Sequence, residues 1–233
     1  MRLSHAGYLV GAHDHPGHGR SSGKRGVFDP PGELATKAAI QCQRFAAETG
    51  GEPILFGHSL GGVLATELVI EHALPVAGLI LSAPAFVPYI RKRDLIQVKL
   101  LAHLSPTFTV NRPYAATLLT HNEDIREEAE ADPLNHGVKS ASLVHWLVQS
   151  GSRQLKKAFE LKPETLVLIA GDDQVVNSAH TREFADQVGP EKLTVHEYED
   201  AYHEILNETP ERAERVFADI MHWMALHFSQ TRE

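Results

Sequence analysis

The stretch Ile54–Ala65, ILFGHSLGGVLA, passes from one apolar run to a second, helically spaced one with only Gly-His-Ser-Leu-Gly between them. A strand that turns straight into a helix needs a turn so sharp that the neighbours of its apex must be nearly free of side chain. Gly57 and Gly61, two before and two after Ser59, fit that demand, and Gly62 lets the helix pack close to the sheet. The N-terminus of such a helix points its amides at the serine and favours negative charge there. The segment predicts a strand–turn–helix unit with Ser59 as candidate nucleophile and the Leu60 amide as first oxyanion donor.

Other segments alternate in the same way. Apolar runs at Tyr8–His13, Ile54–Phe56, Val76–Leu81, Leu166–Ala170 and Leu193–Tyr198 read as strands, the first as a buried one. Helical periodicity covers Gly32–Thr49, Gly62–Leu74, Ser178–Val188 and Glu211–Phe228. Strands alternating with helices predict an α/β fold, a mostly parallel sheet flanked by helices. Residues 85–161 break the rhythm, with helical patterns at Asp94–Leu104, Glu123–Ala131 and Val138–Phe159 and no strand signal. The expectation is a core of residues 1–84 and 162–233 with an all-helical cap, 85–161, over the carboxyl ends of the strands, where such sheets bind ligands. Leu95, Leu101, Phe108, Leu143 and Trp146 either line an acyl pocket there or pack within the cap and against the core.

The order Ser, acid, base along such a sheet can be tested. LVLIAGDDQVV supplies Asp172 and Asp173 after an apolar strand. Among the later histidines, His180, His196, His222 and His227 fall on predicted helices or inside a strand. His203, in YEDAYHEILNE, falls on a strand-to-helix loop from which its ring can reach Ser59. In this reading His203 takes the Ser59 proton as the oxygen attacks an ester carbonyl, and an aspartate holds the ring.

Other function classes are weakly supported. A net charge of −8 argues against nucleic acid as partner, and the dense basic run Arg91–Arg93 reads as a solvated helix entry. The single cysteine, Cys42, allows no internal disulfide and no thiolate metal site, and its helical spacing marks it as a structural thiol. His13, Asp14, His15 and His18 are metal-binding residue types, but the surrounding glycines and proline read as a tight turn. In GHGRSSG the third glycine of a dinucleotide loop would fall at Ser22, where no helix begins. No metal and no cofactor are expected. No apolar run approaches the ~20 residues of a membrane span, and no signal peptide is read at the N-terminus, so a cytoplasmic location is expected.

GYLVGAHDHPGHGRSSGKRG (7–26), GHSLGG (57–62), DPLNHG (132–137), AGDDQVV and YHEILNE together resemble the monoacylglycerol lipase and lysophospholipase branch of the α/β-hydrolase superfamily, over nearly the whole chain. The resemblance implies a serine hydrolase that cleaves a lipid ester with one acyl chain bound under the cap, with transient membrane-surface contact through the cap. It matches Ser59, Asp173 and His203 to the triad, prefers Asp173 over Asp172 through the Asp-x-x-Val pattern, and matches Leu60 to the elbow oxyanion donor. Family members carry earlier strands and a His-Gly motif, the source of the second oxyanion amide, before the segment that resembles residues 1–20. The expectation is a sheet without those N-terminal strands and a second donor left unassigned. Lysophospholipase, short-chain carboxylesterase, and an impaired truncated fragment or non-catalytic binding protein stand as the alternative functions. Oligomeric state is left open.

Overall fold

The computed structural model describes residues 2–28 and 32–228. A short helix α1 (Arg2–His5) leads through a long loop to α2 (Gly32–Thr49), β1 (Ile54–His58), α3 (Leu60–Ile70) and β2 (Gly78–Ser82). An insertion follows: α4 (Lys92–Leu104), β3 (Thr109–Asn111), α5 (Glu123–Ala131), β4 (Val138–Ser140) and α6 (Ala141–Lys156). The chain closes with β5 (Glu164–Ala170), α7 (Ser178–Val188), β6 (Leu193–Tyr198) and α8 (Pro210–Phe228).

Four strands pair in the order β1-β2-β5-β6, every pair parallel. Successive side chains of a strand point to opposite faces, and the apolar residues divide accordingly. Leu79, Leu81, Val167 and Ile169 face one core with Leu34 and Ala38 of α2, Val63, Leu64 and Leu68 of α3, and Phe184 of α7. Ile80, Leu166, Leu168 and Ala170 face the other with Val216, Ile220, Trp223 and Met224 of α8. Covered on both faces, β2 and β5 are continuous apolar runs, whereas β1, an edge of this sheet, is only partly buried.

Local caps set the ends of α5 and α7. Asn177 accepts from the Ala179 N–H at 3.1 Å to start α7, and Gly189 at φ 85° stops it. Asn122 accepts from Asp124 and Ile125 N–H to start α5. Helix α3 stops short of the expected Leu74: Ala73 takes φ 48°, and the Leu74 N–H turns back to Leu68 O at 3.0 Å.

Two expectations are corrected. Tyr8–His13 is not a buried strand: it joins no ladder, and Leu9 and Val10 are 78% and 56% exposed. Only Tyr8 packs inward, against the α8-side core, and the chain then crosses α2 so closely that a Cβ on Gly11 would lie 2.7 Å from the Phe45 ring. A short apolar run predicts a strand only where a partner takes up its backbone groups, and here none among the described residues does. Nor is the insertion all-helical. β3 and β4 pair antiparallel, and Ser140, read as part of a helix, ends β4 and caps α6 by accepting from the Leu143 N–H. Strands of three residues are too short to show a period.

The insertion is fastened to the rest of the chain by polar contacts. The Ser140 N–H bonds Gly26 O at 2.9 Å, and Gly26 passes so close to β4 that a Cβ would meet Val138 O at 2.1 Å. Helix α6 lies against α3, where the buried carboxylate of Glu67 accepts from Ser150 and is flanked by Arg153. Leu143 and Trp146 of α6 are buried in the first core, whereas Phe108 is exposed. Trp223 anchors the opposite face, fully buried, and Gly78 at the start of β2 leaves room for the Phe228 ring and, beside it, the Trp223 ring. Trp223→Ala should lower unfolding free energy by about 3–5 kcal/mol in urea titration, the range for emptying an aromatic core site.

Candidate active site

The site begins with a strained backbone. Ser59 holds φ 53° and ψ −119°, a region that residues with a Cβ rarely enter. Its N–H bonds Ser82 O at 2.9 Å, and its C=O accepts from Gly62 at 3.0 Å and Ala85 at 3.0 Å. Gly57 is obligatory, because a Cβ there would stand 2.4 Å from Gly61 O. Gly62 is held by its approach to Pro84, 2.7 Å from a notional Cβ. Gly61 differs from the sequence expectation: nothing lies within 4 Å of a Cβ built on it, so the turn itself does not require this glycine. Leu60 opens α3, where backbone N–H groups have no intrahelical acceptor, and its amide adjoins Ser59.

Parallel pairing brings the remaining groups to the same end of the sheet. Beyond β5 and β6 the loops are stitched together by Gly171 N–H to Tyr198 O at 2.9 Å and Asp172 N–H to Ala201 O at 3.1 Å. Asp173 is buried, and its Oδ1 accepts from the Val175 and Val176 N–H groups at 2.7 and 2.9 Å. Those bonds give Asp-Gln-Val-Val its physical meaning: they orient the carboxylate so that Oδ2 faces His203 Nδ1 at 2.7 Å. His203 Nε2 is 2.8 Å from Ser59 Oγ. Asp172 is exposed and accepts from Gln174 at 2.7 Å, away from the imidazole. Ser59, His203 and Asp173 thus form one hydrogen-bonded chain.

YHEILNE is the mounting of the imidazole. Glu208 is buried and accepts from the Tyr202 N–H at 2.8 Å and from the His121 ring at 2.9 Å. His121 stacks on Tyr202, with ring centroids 3.8 Å apart. Thr120 donates to Asn207 O at 2.7 Å, and the Glu204 N–H bonds Leu119 O at 2.8 Å. The loop that carries His203 is therefore tied along its length to residues 119–122 of the insertion. Ile205, fully buried in the α8-side core, anchors it from below.

Sequence reasoning missed His58, Glu204, Glu208 and His121. Glu204 Oε1 is 3.2 Å from His58 Nε2, a pair 146 residues apart with no local signal. Burial pushes the Glu204 carboxyl up, but the hydrogen bond and charge of His58, the charge of His203 and the Asn207 amide outweigh it and hold its pKa at about 2. Glu208 lies below its ordinary value, because bonds from Tyr202 and His121 overcome burial. Tyr114 of the insertion is raised, first by burial and then by the charge of Asp173. In the histidine-rich loop, Asp14 accepts from the Arg20 N–H, and the His15 ring is driven down to about 4, mainly by burial.

The depressed carboxyls set the sign of the acid response. Each contributes stability in full above the unfolded value of 4.5 and loses it as pH falls through the lower folded value, about 2 for Glu204. Urea midpoints should fall from about pH 4.5 downward, and Glu208→Gln should flatten that fall. Glu208→Ala, which leaves buried donors unpaired, should destabilise by about 3 kcal/mol at neutral pH.

The sequence pattern of the family described as serine aminopeptidase, S33, matches residues 1–210. A phospholipase of Bacillus subtilis (strain 168) is 32% identical over 92% of this chain and 85% of its own length. An uncharacterized abhydrolase domain-containing protein of Dictyostelium discoideum is 30% identical over 96% of this chain, which spans only 24% of it. The crystal structure of a monoacylglycerol lipase of Paleococcus ferrophilus superposes with a TM-score of 0.83 at 28% identity, covering 92% of this chain and 82% of that one. A parallel sheet flanked by helices, a serine at the strand-to-helix turn and these likenesses agree: the chain belongs to the S33 serine aminopeptidase-like family of α/β hydrolases.

Proposed function

We propose that this protein is a serine carboxylic-ester hydrolase that acts on monoacylglycerols or similar single-chain lipid esters through an acyl-enzyme. The observation that carries the reading is the Ser59–His203–Asp173 chain of 2.8 and 2.7 Å hydrogen bonds at the strained turn. The lipid-ester class draws on the names of the relatives, a monoacylglycerol lipase and a phospholipase.

In this mechanism the Ser59 hydroxyl donates its proton to His203 Nε2 as Oγ attacks the ester carbonyl. Nδ1–H donates to Asp173 Oδ2, which fixes the tautomer and stabilises the imidazolium. The oxyanion of the tetrahedral intermediate accepts from the Leu60 N–H at the positive end of α3. His203 then protonates the leaving alcohol, and water removes the acyl group by the same steps.

Residues 85–161 act as a cap over residues 1–84 and 162–233, and the acyl chain lies between them. Among the described residues no helix is long and apolar enough to cross a membrane. Helix α4 nevertheless exposes Ile96, Leu100 and Leu104 at four-residue spacing beside Arg91–Arg93, a face suited to brief contact with a lipid surface.

A fluorophosphonate probe tests the nucleophile. Wild type should label and hydrolyse monoacylglycerols, and Ser59→Ala should do neither. His203→Ala should lose about 10⁴-fold or more in kcat and Asp173→Asn roughly 10³–10⁴-fold, with the fold intact by circular dichroism. Labelling that survives Ser59→Ala would sink the reading. Rates across acyl lengths on glycerol and glycerophospho esters decide between monoacylglycerol, lysophospholipid and short-chain substrates.

A further inference from the structure

The carboxylate of Glu204 stands next to the imidazole in the chain and is held more firmly than a loop residue needs to be. Oε1 is 3.2 Å from His58 Nε2, and Oε2 accepts from Asn207 Nδ2 at 3.1 Å. The His58 ring is fixed at its other end, with Nδ1 3.2 Å from Oγ of Ser82, a fully buried residue at the end of β2. It also lies against the His203 ring, with centroids 4.9 Å apart. The groups around His203 are thus Asp173 at Nδ1, Ser59 at Nε2, and at its side the His58 ring, itself bonded to Glu204.

We propose that Glu204, clamped by His58 and Asn207, is a second anion for His203, and that His58 and Glu204 are positioning residues that favour the imidazolium formed when Ser59 gives up its proton. This rests on the reading of Ser59, His203 and Asp173 as nucleophile, base and acid.

The hydrogen-bond pattern sets the charge. An ionised carboxylate can only accept, so His58 Nε2 carries a hydrogen toward Glu204. In the neutral ring Nδ1 is then the acceptor, and Ser82 Oγ–H donates to it. With His58 neutral the pair carries one full negative charge, on the residue next to His203 in the chain, when the imidazole becomes positive. Attraction between Glu204 and His203 works in both directions: the charge of His203 is among the causes that keep the Glu204 carboxyl ionised down to about pH 2. Asp173 and Glu204 divide the task. Asp173 fixes the ring through a direct bond at Nδ1, and Glu204 adds field without a bond to the ring. His58 also occupies the variable position of G-x-S-x-G, so the elbow itself holds the clamp.

The test follows protonation of the His203 ring by NMR, assigned by its disappearance in His203→Gln, in parallel with the pH profile of ester hydrolysis. In Glu204→Gln the ring should take up its proton at a pH lower by about half a unit or more. kcat should fall severalfold with KM little changed, and Glu204→Asp, which keeps the charge, should recover most of both. His58→Ala, which frees the carboxylate to turn toward solvent, should lower the midpoint in the same direction and guards against a Glu204→Gln that does not fold. An unmoved midpoint in either folded variant overturns the proposal. A moved midpoint in a protein with no Ser59-dependent hydrolysis supports it and counts against the hydrolase reading instead.

Discussion

Parallel pairing is the constraint on which this molecule depends. Because β1, β2, β5 and β6 all run the same way, their carboxyl ends lie along one edge, and the loops that follow them emerge side by side. Ser59 follows β1, Asp173 follows β5 and His203 follows β6, so residues distant in sequence become neighbours without any special path of the chain. Antiparallel pairing would send alternate loops to opposite ends and separate the three. The register also sets the burial of β2 and β5, whose alternate side chains feed the two cores.

On this frame the polar groups near the site act as fasteners rather than as isolated contacts. Glu208 gathers donors from Tyr202, His121 and Thr209, and so joins the His203 loop to the insertion. Glu67 joins α3 to α6 in the same manner on the other side of the insertion. A buried carboxylate is tolerable only when its lone pairs are occupied, and both are surrounded by donors. The insertion is thereby held by polar and charge-assisted bonds at residues 119–122 and on α6, and along α6 also by apolar packing.

Much of this was legible in the sequence where the signal is local. The bounds of α2, α5, α7 and β6 follow from helical or strand periodicity and from residues such as Asn177 and Gly189 that start and stop a helix. Ser59, His203 and the pair Asp172–Asp173 could be selected by their order and by the kind of loop each occupies, whereas the preference for Asp173 came from the family resemblance. Tyr8–His13 misled because apolar character does not say whether a neighbouring strand will pair. β3 and β4 escaped because three residues hold no period. His58, Glu204 and His121 escaped for a different reason: their roles arise from contacts across the fold, which no spacing along the chain encodes. Glu204 and Glu208 both stood in a quoted motif, YHEILNE, whose physical meaning only their surroundings reveal.

The separation of the hydrogen-bonded partners along the chain has a kinetic consequence. Asp173 and His203 are 30 residues apart and belong to one β5–α7–β6 unit, whereas Ser59 lies 144 residues from His203. The nearer pair can meet once a single crossover has closed. The farther pair requires the whole sheet and the passage of the insertion. A chain that has folded only its C-terminal half would hold a well-oriented imidazole with no serine to activate. Reactivity at Ser59 thus requires that long-range closure, and its appearance in refolding reports assembly of the sheet rather than formation of helices.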